Sequence, residues 1–155
     1  MQPDDLKALL GKFASYITEP GEKTNETLLE ICDRIVALHH DTQRRNVPFT
    51  FDNETLPDAP REDYTRRREL VSAHFPDYGF YRLPDKIEEF EAEALVGDAV
   101  DDIADLLADF EEILWCFDNT STEDALWHFH NGYWTHWGLH MRNLQLYLFR
   151  KITGR

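Results

Sequence analysis

Cysteine is scarce in this chain. Only Cys32 and Cys116 occur among 155 residues. A chain of this length with a single potential pair is not a disulfide-stapled scaffold. Each falls on an apolar helical face, so both read as small buried hydrophobes in a reducing cytoplasm. One disulfide is the less economical alternative. Long apolar runs are missing as well. None approaches the ~20 residues that cross a bilayer, so no membrane-spanning helix is expected. The opening MQPDDLKALL has no basic region ahead of an apolar stretch, and no secretory leader is expected. A Gly-rich phosphate loop, a CxxC pair, a nucleophile elbow and an internal repeat are all absent. No motif in the chain names a reaction.

Basic residues are the other shortage. Lys and Arg number 16 against 30 Asp and Glu, for a net charge of −14. The excess is local. Between Asp85 and Asp124 fifteen acids stand against one base, Lys86, and the rest of the chain is balanced. Such a surface repels phosphate backbones, which argues against nucleic-acid binding. It would attract a basic protein partner or divalent cations. A solvated acidic face that maintains solubility is the plainer alternative.

What is present is apolar and aromatic, at 42% and 13% of residues. That composition is globular, and the length suits one domain over residues 1–155. Periodicity gives the elements. Leu6, Leu9, Leu10, Phe13, Tyr16 and Ile17 mark a one-faced helix from Asp4 to Thr18, stopped by Pro20-Gly21. A second helix, capped by Thr24 or Asn25, runs to about Gln43. Residues 44–60 carry Pro48, Pro57 and Pro60 and read as a structured loop, with Phe49 and Phe51 packed back onto the bundle. A third helix spans Arg61 to Phe75, with Tyr64, Leu70 and Val71 inward and Arg66-Arg67-Arg68 outward. Asp85 to Ala94 reads as a short acidic helix. A strong helix then follows Gly97-Asp98, with Val100, Ile103, Leu106, Leu107, Phe110 and Ile113 on its apolar face.

The rest is organised around Ser121 to Leu148. This stretch holds three of the four Trp and four of the seven His. Ser121 or Thr122 caps it, with Glu123 and Asp124 in the first turn. Trp127, Trp134, Trp137, Met141, Leu144 and Leu148 recur at three- and four-residue steps, the stripe of a helix with one buried face. Gly132 and Gly138 lie inside it, each costing about 1 kcal/mol against Ala. Such glycines imply a close approach to the helix backbone. The fold expectation is all-α: five or six helices in a bundle around this central aromatic helix.

Two patterns carry candidate chemistry. His136 and His140 are four residues apart, so both imidazoles leave one helix face, the spacing that offers two ligands to one metal ion. The Glu of an H-E-x-x-H motif is replaced by Trp137. On the preceding helix Asp102, Asp105, Asp109 and Glu112 form a column, and like charges so spaced destabilise a helix by a few tenths of a kcal/mol per pair. The column calls for solvent, a cation or a basic neighbour. If the two helices are antiparallel across Asn119, their depths at 1.5 Å per residue agree within about two turns, so Asp102 or Asp105 could meet His136 or His140.

Asp101-Asp102-Ile103-Ala104-Asp105-Leu106 with Asp109, then Ala125-Leu126-Trp127 and Thr135-His136-Trp137-Gly138 with His140, occur in that order and at that distance. Phe75-Pro76 and Gly79-Phe80-Tyr81 precede them. Together these residues resemble a bacterial family of domains of unknown function, the one numbered five-zero-six-three. The likeness covers most of the chain. The resemblance implies an all-helical cytoplasmic domain and attaches no activity to it.

Three functional readings follow. The first is a non-enzymatic module that binds a basic protein partner, or a second copy of itself, through Asp98, Asp101 and Glu112 or through Phe49 and Phe51. The second is a divalent-metal-binding protein or metal-dependent hydrolase, with His136, His140, Asp102, Asp105 and Asp109 as candidate ligands. The third is an all-helical nucleotide pyrophosphatase using Glu88-Glu89 with Asp102 to Asp105. Its EExxE spacing fails, because Ala92 stands where the third Glu belongs.

Overall fold

The computed structural model describes residues 2–44, 56–60, 63–84, 86–91 and 93–155, of which 43 and 44 by backbone only. Phe49 and Phe51, and with them most of the 44–60 loop, lie outside the described residues.

Helix α1 spans Pro3–Thr18, with proline at the start, where its missing N–H costs nothing. The Asp5 carboxylate accepts from the Gln2 backbone N–H at 3.0 Å and fixes the first turn. Leu6, Leu10, Phe13 and Ile17 are fully buried on one face. Helix α2, Asn25–Arg44, packs against α1. The hydroxyl of Thr24 accepts from the backbone N–H of Thr27 at 3.2 Å at its start. Helix α3 is Tyr64–His74, shorter than the expected Arg61–Phe75, and begins where Asp63 accepts from the Thr65 N–H at 3.0 Å.

The stretch after α3 departs from the all-helical expectation. Strands β1, Phe80–Pro84, and β2, Ala94–Asp98, form an antiparallel hairpin that pairs Tyr81 with Gly97. The described residues between them, 86–91 and 93, form turns and bends, not the expected short helix. The side chains from Lys86 to Glu91 are all exposed, so this stretch has no apolar face to dock a helix. Asp98 then accepts from the Val100 N–H at 3.0 Å and starts α4, Ala99–Asn119.

Ser121 accepts from the Asp124 N–H at 3.0 Å and starts α5, Thr122–Gly132. A π-helical turn, Tyr133–Trp137, leads directly into α6, Gly138–Thr153. The expected aromatic helix is therefore one rod with a wider turn in its middle. That turn admits one extra residue and re-phases the faces on either side. Trp137 comes into line with Phe129: the rings stack 5.2 Å apart, and the Trp137 Nε1–H donates to the Phe129 carbonyl at 2.9 Å. Trp137, Met141, Leu144 and Leu148 are fully buried, as the stripe requires. Trp134 is not; it is 67% exposed, because the extra residue turns it away from the core.

The π turn also accounts for Gly138. A Cβ there would stand 2.1 Å from the Tyr133 carbonyl oxygen, which accepts from the Gly138 N–H across the wide turn.

Buried apolar residues from each of α1 to α6 join in one cluster. The rod runs along α2 and α4, while α4 lies against α1, α3 and the rod. The bundle is thus centred on the α4–rod pair rather than on the rod alone. Two expectations for α3 fail. Tyr64 is exposed at the first turn of the helix. Arg67 and Arg68 do not face outward: Arg67 reaches Glu111 at 3.0 Å, and Arg68 binds Asp98 on the acidic flank of α4.

Candidate metal centre

The acidic column of α4 meets a column of imidazoles from the rod. His136 Nδ1 lies 2.7 Å from Asp109 Oδ2. One turn along, His140 Nδ1 lies 2.8 Å from Asp102 Oδ1, and its Nε2 lies 3.3 Å from Asp105 Oδ2. The two rings are 5.0 Å apart, centroid to centroid. The charge cost of stacking carboxylates on one helix face is offset by these basic neighbours on the next helix.

Each imidazole is oriented from behind. Neutral His140 keeps its proton on Nδ1 for Asp102, which leaves an Nε2 lone pair beside Asp105. His136 is held at Nδ1 by Asp109 in the same way. This is the carboxylate–histidine arrangement that fixes the tautomer of metal ligands. One ring nitrogen from each His and one Asp105 oxygen lie within 4.8 Å of one another.

Behind His140 the support runs deeper. The other Asp102 oxygen accepts from the Tyr81 hydroxyl. Asp102 is 4% exposed, and two hydrogen bonds satisfy its carboxylate. Gly97 makes this possible: a Cβ at that position would stand 2.4 Å from the Tyr81 ring, which lies across it from the paired strand.

Charge follows these contacts. The hydrogen bond it donates to Asp102 raises the His140 pKa despite burial, and Asp105 adds to it. Burial raises the Asp109 pKa against the pull of His136. Burial, then Asp105, raises that of Asp101. Burial raises the pKa of Tyr81, with Asp102 adding to it, so the phenol stays a donor.

The remaining sequence candidates sit elsewhere. Asp98 and Asp101 both face Arg68, the latter at 3.7 Å. Glu112 faces His128, with Oε1 3.4 Å from Nδ1. A groove of 210 Å³ opens beside them, lined by Asp109, Glu112, His128, Asn131, Thr135 and His136 among others. Glu88 and Glu89 are exposed in the hairpin connection, not on a helix, which removes the structural basis of the pyrophosphatase reading. Sequence reading missed Tyr81 and His128. The signal for Tyr81 was Gly97 ahead of a helix cap; His128 lies eight residues before His136 on the same rod.

A family model, described as Domain of unknown function (DUF5063), matches residues 28–149. The chain belongs to this family. The matched span takes in Tyr81, Asp102, Asp105, Asp109, His136 and His140, and so the whole centre. No curated protein matches the chain. The crystal structure of protein BF1032 from Bacteroides fragilis, a structural-genomics target, is similar in fold. Its TM-score is 0.68 at 14% identity, over 95% of this chain and 89% of that one. At that identity the likeness concerns the fold alone.

Proposed function

We propose that this chain binds a divalent transition metal ion through His136, His140 and Asp105. The observation that carries the reading is the double carboxylate–histidine arrangement, Asp109 behind His136 and Asp102 behind His140. Ligand atoms on one tetrahedral ion stand roughly 3–4 Å apart, so atoms already within 4.8 Å need only small side-chain rotations. Two imidazoles and a carboxylate suit Zn²⁺ or Fe²⁺ better than Mg²⁺ or Ca²⁺, which prefer oxygen. Three protein ligands leave a position for water, and a bound ion would lower the pKa of that water. Metal-assisted hydrolysis is the activity class to assay. A cytoplasmic setting belongs to the same reading, supported by two cysteines that are not bonded to each other.

Zn²⁺ stoichiometry tests it. His136→Ala/His140→Ala should bind one equivalent fewer than the unaltered chain after dialysis. Equal stoichiometry contradicts the reading.

A second reading, a contact with another copy of the chain, is favoured by a different observation. Leu139, Leu146 and Phe149 on α6 are 69%, 48% and 51% exposed, at seven- and three-residue steps along one side. Sedimentation over a concentration series should then show a dimer that Leu146→Asp abolishes. A monomer throughout removes this reading.

A further inference from the structure

We infer that the chain carries a second metal site, independent of the first, at Cys116, Asp124 and His128. One ligand atom from each of these side chains lies within 4.8 Å of the other two. The set joins a thiol, an imidazole and a carboxylate, which suits a borderline-soft divalent ion such as Zn²⁺.

Asp124 is shared between Thr120, which it anchors, and Cys116 and His128, which it faces. Its Oδ2 accepts from the Thr120 hydroxyl at 2.7 Å and helps fix the turn between α4 and α5. Its Oδ1 faces His128 Nε2 at 3.6 Å, too long for a hydrogen bond. On its other side the same ring faces Glu112 at 3.4 Å from Nδ1. The imidazole thus sits between two carboxylates without a close bond to either. Glu112 is on the Nδ1 side of His128, as Asp109 is on that of His136 but at 3.4 Å instead of 2.7 Å, and Nε2 faces Asp124 of the ligand set. An ion among the three ligands would replace the S–H proton of Cys116 and release it to solvent. The 210 Å³ groove is lined by Glu112 and His128, so it reaches the imidazole edge of the set, with Cys116 and Asp124 buried behind it.

Co²⁺ is the probe, because a thiolate ligand gives it a charge-transfer band that imidazole and carboxylate do not. The full-length His136→Ala/His140→Ala variant should take up one equivalent of Co²⁺ and show that band. Adding Cys116→Ser or His128→Ala should remove both the band and the equivalent. Glu112→Gln should weaken Co²⁺ binding by about 10–100-fold, the effect of losing an orienting partner. Absence of the thiolate band, or its persistence in Cys116→Ser, overturns the site. His128 is 29% exposed at its side chain, so His128→Ala reports even where Cys116→Ser disturbs the core. If stoichiometry falls with Cys116→Ser but not with the His136/His140 pair, the first reading fails and this one stands.

Discussion

His140 Nδ1 stands 2.8 Å from Asp102 Oδ1, and the second oxygen of that carboxylate accepts from the Tyr81 hydroxyl. A strand, the central helix and the C-terminal rod therefore meet in one hydrogen-bonded line. Asp102→Asn keeps the size and removes the charge. It should lower the His140 pKa, read by NMR titration of the ring, and weaken Zn²⁺ binding by about 10–100-fold. Tyr81→Phe should weaken it less, leaving Asp102 in place with one partner fewer. Unchanged affinity in both variants would reduce the line to a structural brace.

The glycines rank by what they would strike. A methyl at Gly138 would meet the Tyr133 carbonyl at 2.1 Å, backbone held by the π turn. One at Gly97 would meet the Tyr81 ring at 2.4 Å, a side chain that can move at the expense of its bond to Asp102. Overpacking typically costs about 1–3 kcal/mol. Urea unfolding should place Gly138→Ala at or above the top of that range and Gly97→Ala within it. The reverse order would mean that the π turn is easily given up.

Acid should weaken the fold through His39. Its ring is fully buried and stacked on Tyr133 at 4.0 Å, with no hydrogen-bond partner for either nitrogen among the described residues. Burial, then the nearby His130, holds its pKa down to about 4 from 6.5. As pH falls below 6.5 the unfolded chain takes up this proton first. Stability therefore drops down to about pH 4, where the folded state is protonated too. The loss is on the order of 1–3 kcal/mol. His39→Phe should flatten the pH 4–6.5 part of the stability curve, measured by urea midpoints. A curve as steep as that of the parent would assign the acid limb to other groups.

Trp137→Ala should cost about 3–5 kcal/mol, since the ring is fully buried and stacked. Trp134→Ala should cost far less, because that ring is mostly exposed. Thermal melting of the two variants separates them. Comparable losses would contradict the π-turn phasing.

That contrast shows where the sequence was legible. Regular 3.6-residue periodicity revealed α1, α2, α4 and the inward face from Trp137 to Leu148, because a single apolar stripe decides each of them. It put Trp134 on the same stripe, because one extra residue in a wide turn leaves no compositional mark; Gly132 and Gly138 were the hint. The hairpin went unread because its strands are five residues long and half exposed, with an acidic connection that mimics a solvated helix. Helical depth from the Asn119 turn brought Asp102 and Asp105 to His140, as the distances have it. It did not reveal Tyr81, which arrives from a strand that the periodicity missed. His128 went unread for another reason: it lies on α5, before the π turn, two four-residue steps ahead of His136, and its partner Glu112 was read only as part of the acidic column.

The most direct test is anomalous diffraction from crystals soaked in Zn²⁺, recorded on either side of the zinc absorption edge. A metal ion held as proposed gives an edge-dependent peak bounded by His136, His140 and Asp105, with Asp102 and Asp109 still on the far nitrogens of the two rings. Soaked crystals with no peak there, or with His136 and His140 turned apart, would contradict the proposal.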